Sequence, residues 1–358
     1  MKVIELDGAQ NLVERSASDP TAGPGEVCIG VHTVGICGSD IEYYLHNRIG
    51  SFIPRGPLVL GHELSGEVVA AGSPPESTPL STAPGAGGHG VEVGSRVAID
   101  PSMPCRVCDY CRSGRHNLCT NLKFIGTAAT VPHLAGGFAR YVVVPRANCF
   151  VIPDGVSWGE GACLEPVSVA VHAAVRAGAV AGRRVLVSGG GTIGQFVALV
   201  ARAFGAAVVA VSDPQQHRRE FAVGQGADFG VDPTKPDDMA RVRQQTGGFD
   251  LIFEASGAPP AVRANLELVN RGGTIVQIGS IPADVDLPMN LVMSKELTVV
   301  GSFRYADVYP VSMNLLASRR VDVRPLISAT YRFADTPAAF ALAAERGNAI
   351  KIQVEHDA

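Results

Sequence analysis

The most constraining feature of this chain is a glycine turn between two apolar stretches. Gly189-x-Gly191-x-x-Gly194 follows the strand-like run Arg184–Ser188 and opens a helical pattern of Ile193, Phe196, Val197, Leu199, Val200 and Phe204. In such a turn the first glycine bends the backbone, the second lets it approach a pyrophosphate, and the third lets helix pack on strand. The helix start, at Thr192 and Ile193, then faces the phosphates with its positive dipole end. A second apolar run, Ala207–Ser212, ends at Asp213, nineteen residues beyond Gly194. A carboxylate there accepts a hydrogen bond from a ribose 2′-hydroxyl and repels a 2′-phosphate, so NAD is expected over NADP. Arg218 nearby either softens that preference or stacks on adenine. Later apolar runs, in GFDLIFEAS, GGTIVQIGS and LTVVGSF, lead to Gly257, Gly279 and Gly301. This alternation of strand and helix from about Val167 predicts an α/β domain with a doubly wound parallel sheet, whose carboxyl edge takes the ligand. On that edge Ile278, Gly279, Ser280, Ser302, Phe303 and Arg304 are the expected cofactor contacts. The plainer alternative is a glycine turn in an α/β domain that binds no cofactor.

The full length of 358 residues exceeds the roughly 100–200 of one ordinary domain, so a second is expected. The first 160 residues carry short runs such as VCIGVHTVGI, ELSGEVVAAG, SRVAID and ARYVVV between Gly and Pro turns, a β-rich pattern. From Gly72 to Gly90 the chain is full of Ser, Pro and Gly and reads as an exposed, mobile loop, with His89 an ordinary loop residue. With 46% hydrophobic and 18% charged residues the chain has a core to bury, and a formal charge of −4 excludes a generally basic nucleic-acid binder. Val185–Ala201 is the longest charge-free run, but Gly189, Gly190 and Gly191 make it strand, turn and helix rather than a membrane span. MKVIELDG has no apolar stretch behind a basic start, so no signal peptide is expected, and a cytoplasmic location is. The tail from about Tyr305 has no assignable pattern of its own.

Four of the eight cysteines lie in Cys105-x2-Cys108-x2-Cys111-x7-Cys119. Four thiolates in one short loop offer a closed tetrahedral set, which is what a structural zinc needs. Unliganded buried thiols, or a nucleic-acid-binding zinc ribbon, are the alternatives; Arg106, Arg112 and Arg115 surround the loop, but Asp109 dilutes them. A second group is dispersed. Cys37 sits between Gly35-Ile36 and Gly38-Ser39-Asp40, His62-Glu63 follows Leu58-Val59-Leu60-Gly61, and Glu165-Pro166 lies at the change of texture. Taken singly, these are a buried thiol, a surface His and a helix-start Glu. Taken together they suggest a zinc with an open position, the catalytic type.

At this point GICGSD, Gly61-His62-Glu63, the four-cysteine loop, Leu164-Glu165-Pro166, the glycine turn and Gly301-Ser302-Phe303-Arg304-Tyr305 carry a resemblance. The chain resembles the zinc-dependent medium-chain alcohol dehydrogenases over essentially its whole length, apart from the Gly72–Gly90 insertion. Within them it is similar to the sorbitol dehydrogenase branch, and Phe124–Tyr141 is similar to the L-idonate 5-dehydrogenases. The resemblance implies a GroES-like β-rich catalytic domain of residues 1–160 and 305–358, and a Rossmann NAD-binding domain of residues 161–304. It implies two zinc ions per chain: a structural one on Cys105, Cys108, Cys111 and Cys119, and a catalytic one on Cys37 and His62. Glu63 and Glu165 compete for its remaining protein position, directly or through water. It also implies a homotetramer or homodimer.

Carried over to these positions, Asp40 orients His62, Ser39 relays a proton away from the substrate hydroxyl, and Tyr43, His133, Arg304 and Tyr305 face the substrate. Many relatives carry a His where this chain has Glu42, so either Glu42 or water serves the outer relay. Tyr43 also reads as an ordinary buried aromatic. A small sugar acid or polyol is the implied substrate, with L-idonate oxidised to 5-ketogluconate the sharpest version. Sorbitol (L-iditol) and L-threonine dehydrogenases are the runners-up, and a redox-inactive nucleotide-binding protein is the rival from another class. Neither nucleic acid nor membrane is an expected partner.

Overall fold

Gly and Pro punctuation keeps the strands of the first part short, and apolar alternation gives each one a buried face. The computed structural model describes residues 1–74, 87–281, 284–345, 347 and 349–356, so residues 75–86 of the expected loop lie outside it. The chain forms two compact units. One comprises Met1–Glu165, Tyr309–Ala317 and Val323–Ala358, and the other Pro166–Val308 and Ser318–Asp322.

The first unit contains β1 (Lys2–Leu6), β2 (Leu12–Ser16), β3 (Glu26–Gly35), β4 (Leu58–Val59), β5 (Glu63–Ala71), β6 (Arg96–Ile99), β7 (Ser102–Met103), β8 (Lys123–Phe124), β9 (Tyr141–Pro145) and β10 (Cys149–Val151). The second contains β11 (Arg184–Ser188), β12 (Val208–Ser212), β13 (Phe229–Val231), β14 (Phe249–Glu254), β15 (Val269–Gln277) and β16 (Thr298–Gly301). The chain then returns to the first unit for β17 (Ile327–Arg332) and β18 (Lys351–Glu355). The tail, unreadable by pattern, thus completes the first sheet, ordered β10-β6-β5-β3-β18-β17 with β9 also on β3. Its core is built from residues such as Ile29, Val34, Leu64, Val97, Phe138 and Val354.

Register in this sheet brings distant residues together. Gly35 at the end of β3 pairs with Glu63 at the start of β5 on one side and with Gln353 of β18 on the other. Beyond Gly35 the chain turns through Cys37 into helix α1 (Gly38–His46), with Cys37 as N-cap. Before Glu63 it passes Gly61 at φ +95°, a left-handed turn that favours glycine, and an added Cβ there would lie 2.8 Å from Val34 Cγ2. Two strand ends therefore deliver Cys37, His62 and Glu63 to one place.

In the second unit the strands run parallel in the order β13-β12-β11-β14-β15-β16, a doubly wound arrangement that reverses direction at β11/β14. Val185, Leu186 and Val187 are completely buried, as both-face coverage of a parallel sheet requires. No helix among the described residues is long and apolar enough to cross a membrane.

Candidate active site

Cys37, His62 and Glu63 each present one ligand atom, and these atoms lie within 4.8 Å of one another. Asp40, fully buried in the first turn of α1, accepts a hydrogen bond from the Cys37 backbone N–H at 2.9 Å through Oδ2. Its Oδ1 lies 3.6 Å from His62 Nδ1, and both atoms are buried without a hydrogen-bond partner. Nδ1 of His62 thus faces a carboxylate, which leaves Nε2 as the nitrogen for a metal. The Phe124 ring stands edge-on to His62 at 5.7 Å and closes that side.

Sequence reasoning missed Lys351. It is 1% exposed, as is Glu63, and its ammonium pairs with Glu63 Oε2 and donates to the Ile36 carbonyl at 2.9 Å. An added Cβ at Gly35 would strike the Glu63 carboxylate and the Lys351 stem, so glycine there makes room for the pair. The only available signal was a lysine, one of five in the chain, inside the apolar run Ile350–Ile352.

Burial dominates the electrostatics when no cation is present. It pushes the Cys37 thiol up to about 12, reinforced by Glu63 and Asp40 and opposed by Lys351 and a hydrogen bond from Ser39. It pushes Glu165 up to about 8, opposed by His62 and reinforced by Glu63 and Cys37. Asp40 is likewise raised by burial, against the pull of His62. For Lys351, burial works downward, but Glu63, Cys37 and Cys163 outweigh it and raise the ammonium's pKa. A half-buried sulfur and a buried nitrogen and oxygen gathered this closely form a donor set that fits a divalent zinc, whose charge inverts the pKa logic of such a site. Glu165, at the start of the helix Leu164–Ala177, is near enough to feel these charges but lies outside the three-residue cluster.

The four-cysteine loop also comes together, its sulfurs within 4.8 Å of one another. Backbone N–H groups of Cys105 and Asn121 point at Cys119 Sγ, at 3.2 and 3.4 Å. N–H groups of Cys111 and Thr120 lower the Cys108 thiol to about 6, whereas burial and neighbouring thiols push Cys111 up to about 12. Amides aimed at sulfur suit thiolates, and four thiolates fit a closed zinc site.

At the glycine turn, nothing lies within 4 Å of where a Cβ would stand on Gly191, the N-cap of the helix Thr192–Ala203. That open backbone is a cradle fitted to a pyrophosphate. Asp213 is buried: its Oδ2 accepts from the Gly190 N–H at 2.9 Å and its Oδ1 from the Gln215 N–H at 2.8 Å, while Arg218 Nη1 stands 3.5 Å from Oδ2. The carboxylate thus holds the turn. Gln195 braces the same turn, donating to the Gly190 and Arg218 carbonyls.

The expected substrate residues are placed as follows. Tyr43 is 2% exposed in the core, and its hydroxyl accepts from the Ala128 N–H at 3.2 Å. Tyr305 is 3% exposed, so its ring is also packed away. His133 accepts from the Arg55 N–H through Nε2 at 2.8 Å, so Nδ1 carries the proton and donates to the Thr130 carbonyl at 2.8 Å. Both ring nitrogens thus bond to backbone groups, one of them within the Phe124–Tyr141 loop. Arg304 stacks over the exposed Phe303 ring at 4.9 Å. Glu42 lies 3.9 Å from His46 on the outer side of α1.

Residues 192–318 match the family described as zinc-binding dehydrogenase, and residues 23–154 match the alcohol dehydrogenase GroES-like domain. Residues 162–217, which contain the glycine turn, also match the glutamate/leucine/phenylalanine/valine dehydrogenases. The chain is 36% identical to a sorbitol dehydrogenase of Gallus gallus over an alignment of 363 residues, spanning 99% of this chain and 96% of that one. It is 36% identical over 320 residues to the L-idonate 5-dehydrogenase (NAD(P)(+)) of Escherichia coli strain K12, spanning 89% of each. The crystal structure of L-idonate 5-dehydrogenase from Escherichia coli superposes with a TM-score of 0.87 at 33% identity, covering 99% of this chain and 97% of that one.

Proposed function

This chain belongs to the zinc-binding medium-chain dehydrogenases and is an oxidoreductase acting on CH–OH donors; from that premise we propose that it oxidises a secondary alcohol of a sugar acid, L-idonate, with NAD as hydride acceptor. The observation that carries the catalytic reading is the Cys37–His62–Glu63 cluster, with His62 and Glu63 buried and Asp40 behind His62. Zinc held there supplies a Lewis acid that lowers the pKa of a substrate hydroxyl, and the nicotinamide supplies the hydride acceptor. Cys37 and His62 Nε2 are the first two protein ligands, with Glu63 favoured over Glu165 by its place in the cluster. Asp40 holds the His62 ring in orientation. Lys351 balances the Glu63 charge. Ser39, hydrogen-bonded to the Cys37 sulfur, passes the substrate's proton outward, to Glu42, its side chain 42% exposed, or to water. The four-cysteine loop holds a second, structural zinc.

The L-idonate version rests on the similarity of the Phe124–Tyr141 loop and of the Escherichia coli relative. The engagement of both His133 nitrogens favours a second reading, a neutral polyol such as sorbitol. A homodimer or homotetramer is supported by the edge strand β16, where Val299 is 50% exposed and Met289, Met293 and Phe303 are exposed close by in sequence. The test is an NAD-reduction screen over L-idonate, D-gluconate, sorbitol, xylitol, L-iditol and L-threonine. Fastest turnover of L-idonate is expected. An outright preference for sorbitol replaces the sugar-acid version with the polyol one, and no turnover of any of them refutes both.

A further inference from the structure

The second unit contains a fully buried carboxylate that the mechanism above does not use. Glu254 ends β14 with 0% exposure, and no cation pairs with it among the described residues. Hydrogen bonds take the place of a counter-ion. Its Oε1 accepts from the Ser256 N–H at 2.9 Å, from the Ser256 hydroxyl and from the Gly257 N–H at 3.1 Å. Its Oε2 accepts from Gln277 Nε2 at 2.6 Å, and Gln277 Nε2 also donates to the Gly279 carbonyl at 2.8 Å. The Glu254 main-chain carbonyl accepts from the N–H groups of Ile278 and Gly279.

These contacts tie together three strand ends on the carboxyl edge of the sheet. Ser256 backs the glycine turn: a Cβ on Gly189, at φ +101°, would lie 2.7 Å from the Ser256 nitrogen. Gly257, at φ +63°, packs against the Ser280 backbone. Asp213 and Gly191 place the adenosine ribose and the pyrophosphate at β12 and β11. A dinucleotide crossing the switch point must then lay its nicotinamide half over the loops that follow β14 and β15. We propose that Glu254 is a positioning residue for the nicotinamide half of the dinucleotide, setting the spacing of the 256–257 and 277–280 backbones that receive it. The inference rests on the dinucleotide reading given above.

Glu254→Gln keeps the volume but turns an amide N–H2 toward Gln277 Nε2. Flipping the Gln277 amide to meet it would set an oxygen against the Gly279 carbonyl, so one hydrogen bond is lost either way. Binding of NADH and of AMP to the full-length protein, measured by calorimetry with the melting temperature alongside, reads the effect. NADH is expected to bind about tenfold more weakly, the loss of one charge-assisted bond, while AMP, which reaches only the β12 and β11 side, changes less than about twofold. If Glu254→Gln does not fold, Gln277→Ala, which removes both bonds that Nε2 donates, should show the same NADH-specific loss at about tenfold or more. Unchanged NADH affinity overturns the proposal. So does an equal loss of NADH and AMP, which marks a merely structural residue. Wild-type protein that binds neither nucleotide overturns the dinucleotide reading, and the proposal with it.

Discussion

Lys351→Met is the sharpest perturbation of the candidate metal centre, because it changes no proposed ligand. The ammonium and the Glu63 carboxylate are each 1% exposed, so removing one leaves the other as an uncompensated buried charge. Breaking such a pair costs about 3–5 kcal/mol, and methionine keeps most of the stem's packing. For domains of 150–250 residues 1 kcal/mol moves the melting temperature by about 2–4 °C, so the chelated, metal-free variant should melt about 6–20 °C below wild type. A divalent cation beside Glu63 replaces the missing positive charge. With zinc loaded, the difference should therefore shrink to less than half. Calorimetry on both proteins, with chelator and with zinc, measures all four values. A metal-free variant within about 2 °C of wild type would refute the buried-pair argument. An equal loss with and without zinc would place the metal away from Glu63.

Cys37→Ser should abolish turnover while leaving the melting temperature and NADH binding nearly intact, whereas Cys108→Ser should lower stability first, because a closed zinc site contributes folding free energy; activity and melting curves on both variants decide it. In chelated protein, Glu165 keeps its proton up to about pH 8 when folded, but releases it near its ordinary 4.5 when unfolded. Its contribution to stability therefore falls as pH rises through that window, and Glu165→Gln should flatten the slope between pH 5 and 8.5 in urea titrations; an unchanged slope counts against the burial of this carboxyl. NAD should be preferred over NADP by at least about tenfold in kcat/KM, about 1.4 kcal/mol, because of Asp213; kinetics with both cofactors test it, and equal use of the two sinks the argument.

What was legible in the sequence was whatever local spacing encodes. The glycine turn announced the parallel sheet because a strand, three glycines and a helix occur within one short stretch. The four cysteines announced a cluster because no long-range pairing is needed to bring them together. Cys37 and His62-Glu63 stood out because each follows an apolar run, as residues at strand ends do, though only the Gly35–Glu63 register shows that those ends are neighbours. Lys351 was invisible, since its role depends on β18 reaching β3 from the far end of the chain. Glu254 and Gln277 were invisible for the same reason: their contact follows from β14 lying beside β15. His133 looked available because a sequence shows a side chain's chemistry and not its partners, and here two backbone groups occupy both nitrogens.

The proposed reaction requires an open zinc site at Cys37 and His62 that is separate from the four-cysteine loop. Zinc per chain, counted by mass spectrometry of the intact protein under native conditions, tests it most directly. Wild type should carry two ions and Cys37→Ser one; wild-type protein holding a single ion that Cys37→Ser retains would contradict it.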